Sequence, residues 1–463
     1  MLCRNEKIRV GLIVTMSEDV WPDDFVSLVA SFIKPAKEML EKLGFEVVTA
    51  EKLCRSIADA REQGKFLRDK DIDVLVNHVG TWTYANDSVA VTQIVKVPVI
   101  IWPAYSKDSL GIAGGAIVRG SHDELNFKSY MVYGDYNDKE LQKEITVLIR
   151  GIAGATKLRG LKFGVGGTRS MGMIAAQPDP NQWFRDFGID VDGFEQVLLI
   201  ERAKKYEQKK IDSFYHWMLK EFKCIDVKRE VMDAQIRMYF ALRDYIIERD
   251  YDFVAVKCLP ELPYIYTTFC LAHSLLNDSS DDGFGVKCPF VAACEADCNA
   301  ALTMQILKNI SNKTSLFTDI LYLDYEKKLA TMGNCGSQPT DLALSRKDVC
   351  WVSEGFIGHT FKIGCACPRY FGKEGLVTIA RLTRVNGKYH MLIASGNSIK
   401  SNPKPEEEAG SKQHPKHFIK FNCDDRNFVR SLRTNHLHLI YGDYIEELKT
   451  VCEVLDIVPV VPG

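Results

Sequence analysis

Short β-branched runs alternate with stretches of helical period through the first third of the chain. Ile8 to Val14 is mostly apolar and predicts a strand, and Phe25 to Leu43 gathers its apolar residues on one helical face. That helix is expected to end at Gly44, a residue suited to the position just past a helix C-terminus. Strands at Phe45 to Thr49, Val74 to Val79 and Val97 to Trp102 follow, with helices at Ile57 to Lys70 and Lys139 to Ile152. Such alternation predicts a parallel sheet covered by helices on both faces, which binds ligands outside the carboxyl ends of its strands. Trp82 and Tyr84, in the loop Gly80 to Tyr84, are therefore candidate sugar-stacking aromatics; the alternative is that they only pack their loop onto the domain.

A second unit of the same texture opens at the strand Leu161 to Val165. It continues through a strand at Gln196 to Ile200, long helices across Glu201 to Arg249, and a strand at Phe253 to Lys257. Lys257, at a strand end, is either a functional cation or a solvated lysine. The stretch Lys287 to Pro339 holds the strongest chemical signal. Pro289 to Cys294 predicts a buried strand, and Glu295 stands where it stops. Asp297 predicts an N-cap for a helix whose apolar positions are Ala301, Met304, Ile306, Leu307 and Ile310. A second apolar run, Leu316 to Tyr322, is interrupted by Asp319 between Phe317, Ile320 and Leu321. Carboxylates in such places are costly unless paired, and a hard divalent cation is an economical partner.

After Pro339 the pattern turns to period two. Gly355 to Ile363, Leu376 to Arg384 and Lys388 to Ser395 predict strands, the last two joined by a hairpin turn at Asn386-Gly387. Lys400 to Lys416 is a polar surface loop or insertion. Asn435-His436-Leu437-His438 leads through a strand at Leu439 to Tyr441 into a closing helix, Tyr444 to Leu455. The predicted fold class is α/β: two parallel-sheet α/β domains, 1–156 and 157–335, then a mostly antiparallel β domain, 336–463.

Composition narrows the function. The 463 residues are 46% hydrophobic and carry a net charge of −2, which gives no electrostatic case for nucleic acid or an anionic membrane. No run approaches a membrane span, and the N-terminus lacks a signal-peptide core, so a cytoplasmic protein is expected. The 14 cysteines are scattered, and the closest groups, Cys288/Cys294/Cys298 and Cys365/Cys367, lack paired zinc-site spacing. Each is read as a core or near-surface thiol. Gly166 to Met173, GGTRSMGM, has neither nucleotide-binding glycine spacing, and a tight turn or close approach to a neutral ligand is expected there.

Several stretches, in order, resemble the L-fucose isomerases and, more distantly, the L-arabinose isomerases. They are GTWTY (80–84), GGTRSMGM (166–173), CEADCNAALTMQ (294–305), LFTDI (316–320), GNCGS (333–337), VTIARLTRV with KYHMLIA, and TNHLHLIYGDYIEELKTVCEVLDI (434–457). The resemblance implies a metal-dependent aldose–ketose isomerase acting on a free sugar by enediol proton transfer between C1 and C2. Its metal, Mn²⁺ with Mg²⁺ or Co²⁺ as alternatives, would fall to Glu295, Asp319 and His436, with His438 the substitute. Glu295 and Asp319 would share the proton transfer. Trp82, Tyr84, Met171 and Asn435 would contact the sugar, with Trp82 reaching a neighbouring subunit's site in a homotrimer or homohexamer. Ile13 stands where fucose isomerases carry a substrate-facing arginine, which favours another deoxy sugar, a pentose or a modified hexose. The competing expectation is a non-catalytic sugar-binding or regulatory protein on the same scaffold. A periplasmic-type solute-binding protein fits less well, given the N-terminus and the extra β domain.

Overall fold

Val74–Val79 is buried at all 6 of its positions, as a strand covered on both faces must be. In the computed structural model, which describes residues 7–18, 21–334, 338–353, 362–400 and 414–463, this strand is central to a parallel sheet. The order is Glu46–Val48, Arg9–Thr15, Val74–Val79, Val99–Pro103, Ser129–Met131, with Leu53–Cys54 pairing the far end of Arg9–Thr15. The sheet lies in a unit formed by residues 6–157 and 446–454. Residues 446–454 of the closing helix Ile445–Val454 therefore pack in this unit, against Lys139–Thr156. Their approach requires Gly151, where a Cβ would come within 2.5 Å of Thr450 Cβ and 2.8 Å of the Glu447 carbonyl.

The helix expected over Phe25 to Leu43 is two helices, Asp23–Ala30 and Ile33–Lys42. Pro35 explains the break: it has no N–H for the Ser31 carbonyl, and its ring crowds that oxygen. Ile13 is 1% exposed and packs with Leu67, Ile72 and Val91, so it presents nothing to a substrate. The Gly80 to Tyr84 loop is pinned at the carboxyl end of the sheet. Tyr84 N–H donates to Ser17 Oγ at 2.6 Å, and Trp21 Nε1 donates to the Trp82 carbonyl at 3.2 Å.

His78, inside the central strand, meets the Trp102 carbonyl through Nδ1 at 2.7 Å and the Tyr136 hydroxyl through Nε2 at 2.8 Å. Burial pushes its pKa down to about 4, against the opposing pull of the Trp102 carbonyl. An unfolded histidine takes up a proton near pH 6.5, about 2.5 units earlier, so acidification through this window favours the unfolded state. This one residue should remove about 3 kcal/mol of stability by pH 4. The check is direct: the His78 ring should stay neutral down to pH 5 by NMR, and a titration midpoint near 6.5 would refute the assignment.

The second unit, residues 158–445 and 455–463, contains both remaining sheets of functional interest. A parallel sheet runs in the order Ala292–Cys294, Phe253–Val256, Lys162–Gly166, Asp190–Phe194. The strand expected at Gln196 to Ile200 is instead the start of the helix Gln196–Ala203, and the strand lies just before it. A short apolar run has no decisive period, and here Val197 and Leu198 face out while Leu199, Ile200 and Ala203 are buried on one helical side.

The C-terminal sheet is mostly antiparallel and closes on itself. Gly375–Val385, Leu437–Tyr441, Leu316–Asp324, Leu329–Gly333, His417–Phe421 and Lys388–Ser398 pair in turn, and the first and last pair again along the Asn386-Gly387 hairpin. Asn386 and Gly387 take φ of 50° and 79°, as this turn demands. Val458–Val460 adds a parallel strand at Lys388–Ser398.

A small third sheet joins Cys224–Asp226, Cys350–Val352 and Cys367–Arg369. Cys224 and Cys350 face each other in it as a disulfide with Cα atoms 4.7 Å apart, so these two are not the separate thiols expected. Most of Gly355 to Ile363 and Lys400 to Lys416, the end of GNCGS, and Cys3 lie outside the described residues. No described helix is long and apolar enough to cross a membrane.

Candidate active site

Strand register assembles the site. Val256 pairs with both Gly166 and Cys294, so Gly167, Lys257 and Glu295 follow one another along the carboxyl edge of the parallel sheet. Lys257 is 6% exposed and its ammonium pairs with Glu261 at 2.7 Å, which makes it a buried ion-pair member rather than a solvated lysine. Beyond Cys294 the backbone turns sharply. Glu295 and Ala296 both take left-handed conformations, φ 60° and 48°, which cost of order 1 kcal/mol or more each and cluster at functional sites. This turn aims Glu295 off the strand end before Asp297 caps the helix Cys298–Ser311 by accepting from Ala300 N–H at 2.9 Å.

The barrel delivers the other two groups. Thr318 pairs with Leu437, so the next step of the same register brings Asp319 and His436 together. His436 Nε2 lies 3.2 Å from Glu295 Oε2 and 3.9 Å from Asp319 Oδ1. His436 and Glu295 are buried, whereas the Asp319 side chain is 24% exposed, so the cluster opens outward through Asp319. Asn334 and Asn435 steady that carboxylate, donating to Oδ2 at 2.6 Å and Oδ1 at 2.9 Å.

Asp297 organises the interior side. Its Oδ2 accepts from His436 Nδ1 at 2.7 Å and pairs with Arg381 Nη2 at 2.9 Å, while it caps the helix. Burial opposes its charge, but Arg381 and His436 hold its pKa well below the usual carboxylate range. With Nδ1–H donated inward, the imidazole presents Nε2 toward Glu295 and Asp319. Burial works to lower the His436 pKa, yet the hydrogen bond to Asp297 and the charges of Glu295 and Asp297 outweigh it and raise it to about 10, so an ion taken up at Nε2 would displace a proton.

Glu295 Oε2 and His436 Nε2 face each other, fully buried, as a close ion pair that is not aligned for a hydrogen bond. Two such atoms beside a third oxygen ligand fit a divalent cation: two carboxylates and one imidazole suit Mn²⁺ and leave coordination positions free. His438 does not share this geometry. Its Nε2 accepts from Arg381 Nη1 at 3.3 Å, and burial followed by Arg381 keeps it neutral.

Of the other sequence candidates, Asn435 joins the cluster through Asp319. Met171 is 49% exposed with φ 42°, in the loop after Lys162–Gly166. That loop is tied down by Ser170 Oγ donating to the Leu259 carbonyl and by Asn299 Nδ2 donating to the Ala175 carbonyl. Trp82 and Tyr84 belong to the other unit; Tyr84 is 46% exposed. Sequence reasoning missed Arg381, Asn334 and the second role of Asp297. An arginine within the apolar strand VTIARLTRV was the available signal, because a buried guanidinium demands an acid.

Two family models match, described as L-fucose isomerase, first N-terminal domain (residues 18–160), and L-fucose isomerase, C-terminal domain (332–461). Sulfoquinovose isomerase of Priestia aryabhattai is 22% identical over 418 residues, 87% of this chain and 88% of the relative. That of Alkalicoccus urumqiensis is 22% identical over 381 residues, 77% and 78%. A glucose-galactose binding protein from Geobacillus stearothermophilus aligns with 67% of this chain and 93% of its own at 15% identity, with a TM-score of 0.17, too low to bear on the fold. Together the two models span more than half of the chain, at both ends and in the family's order, and the chain thus belongs to the L-fucose isomerase-like family of sugar isomerases.

Proposed function

We propose that this sugar isomerase interconverts an aldose and a ketose by a Mn²⁺-dependent proton transfer between C1 and C2, with Glu295, Asp319 and His436 holding the ion. The observation that carries the reading is the buried Glu295–His436 pair, 3.2 Å apart and not aligned for a hydrogen bond, beside Asp319. The ion, when bound, supplies Lewis-acid polarisation of the sugar's carbonyl end. The chain's own groups do the rest. Glu295, fixed by its left-handed turn, takes the proton from one carbon and returns it to the next. Asp319, at the open side and steadied by Asn334 and Asn435, shares that proton through the sugar hydroxyls. His436 is oriented by Asp297 so that its Nε2 faces the ion's place.

Burial around Glu295 excludes water that would otherwise exchange or quench the transferred proton. The substrate is a substituted or deoxy hexose or a pentose, and sulfoquinovose, on which the named relatives act, is the first to test. In the cytoplasm the protein would work as a homotrimer or homohexamer, with Trp82 reaching a sugar in a neighbouring subunit's site and Tyr84 a further sugar contact.

Metal-stripped protein should be inactive and recover with added Mn²⁺, a change on the order of a thousandfold or more. A screen of sulfoquinovose, deoxyhexoses and pentoses, read by aldose–ketose conversion in the presence and absence of chelator, tests this. Turnover indifferent to chelator would refute the metal. An active monomer would refute the shared site.

A further inference from the structure

Behind the strand end that bears Glu295 lies a second donor cluster that the isomerase reading does not use. Cys258 follows Phe253–Val256, Cys294 ends the neighbouring strand, and His273 comes from the helix Cys270–Asn277, buried at all 8 positions. Their sulfur and ring-nitrogen atoms all lie within 4.8 Å of one another. Three donors around one zinc ion stand about 3.8–4.0 Å apart at a Zn–S distance of about 2.3 Å, so contraction by up to about 1 Å would close the group around an ion.

His273 is 0% exposed, and neither of its ring nitrogens has a hydrogen-bond partner among the described residues. Burial alone holds its pKa down at about 3, which keeps the imidazole in its neutral, ligating form. Cys258 and Cys294 are outside any disulfide and are buried. Two thiols and an imidazole, with no carboxylate in the group, form a soft donor set. It suits zinc or copper(I) and is a poor match for Mn²⁺ or Mg²⁺.

We infer that Cys258, His273 and Cys294 bind one thiophilic d¹⁰ cation, zinc or copper(I), at a structural site separate from the cluster at His436. The ion would clamp the carboxyl ends of the two strands that present Lys257 and Glu295 at the sheet edge. Its uptake releases the two thiol protons to solvent. The inference concerns different residues and different metal chemistry, so it stands or falls independently of sugar turnover.

The sequence hides this site because its donors are spaced like core residues, not like a zinc motif. The grouping that looked closest along the chain, Cys288/Cys294/Cys298, is not the one that converges; only Cys294 belongs to both.

The test uses the reduced, full-length protein, titrated separately with Zn²⁺, Cu⁺ and, as a spectroscopic reporter, Co²⁺. About one equivalent per chain should bind with a thiolate-to-cobalt charge-transfer band. Cys258→Ser should lose that band, while Glu295→Gln and Asp319→Asn keep it. Should Cys258→Ser fail to fold, X-ray absorption on the wild type decides instead. A sulfur shell at about 2.3 Å supports the site, and an oxygen- and nitrogen-only shell overturns it. A charge-transfer band unchanged in folded Cys258→Ser also overturns it. Elemental analysis of protein from cells supplied with both metals separates zinc from copper.

Discussion

Glu295→Gln is expected to lower kcat by about 10²–10⁴-fold even at saturating Mn²⁺, because it removes the proton acceptor while keeping the shape of the side chain. The amide retains one oxygen that can face an ion but has no basic site for a carbon-bound proton. The loss should therefore persist when metal is added in excess, and KM should change much less than kcat. His436→Ala separates the roles, since it removes a ligand and should weaken Mn²⁺ binding first. Measuring activity against Mn²⁺ concentration distinguishes the two curves. If Glu295→Gln turned over sugar at the wild-type rate, Glu295 would have no part in the proton transfer.

Asp297→Asn is expected to carry the largest stability cost. Arg381 is 1% exposed and His436 is fully buried, and both lean on this one carboxylate. Without its charge the guanidinium is left buried and uncompensated, at a cost of about 3–5 kcal/mol. Asparagine is itself a good N-cap, so the start of Cys298–Ser311 should survive, and the loss isolates the ionic contacts. The same change leaves His436 without its anchoring acceptor, which should weaken Mn²⁺ by about 10–100-fold. Chemical denaturation and metal titration of one preparation read both effects. Adding Arg381→Met to Asp297→Asn should recover part of the stability but none of the metal affinity. An unchanged denaturation midpoint in the single variant would show that Asp297 is not the counter-charge.

Local signals carried much of the fold. Val74 to Val79 and the Asn386-Gly387 hairpin were plain in the sequence because each rests on near neighbours: uniform burial in one case, two positive φ angles in the other. Asp297 as a helix cap was legible for the same reason. Gln196 to Ile200 was not, since five apolar residues fit a strand or a helix turn equally. The closure of the barrel was invisible too, because it depends on pairings between remote strands, Leu316–Asp324 with Leu437–Tyr441 and Leu329–Gly333 with His417–Phe421.

The site divides in the same way. Glu295 and Asp319 drew notice as acids in apolar strand ends. His436 was indistinguishable by local pattern from His438, two residues on, and only family resemblance preferred it. Three-dimensional pairing separates them physically: one meets Glu295, the other meets Arg381. Arg381, 84 positions from Asp297, has no sequence spacing that could announce the partnership.

The helix Ile445–Val454 belongs to the unit that the first third of the chain builds. During synthesis that early segment emerges from the ribosome long before residues 446–454 do, so the groove beside Gly151 stays open until this distant helix follows. A unit built early in the chain is completed by a helix made much later.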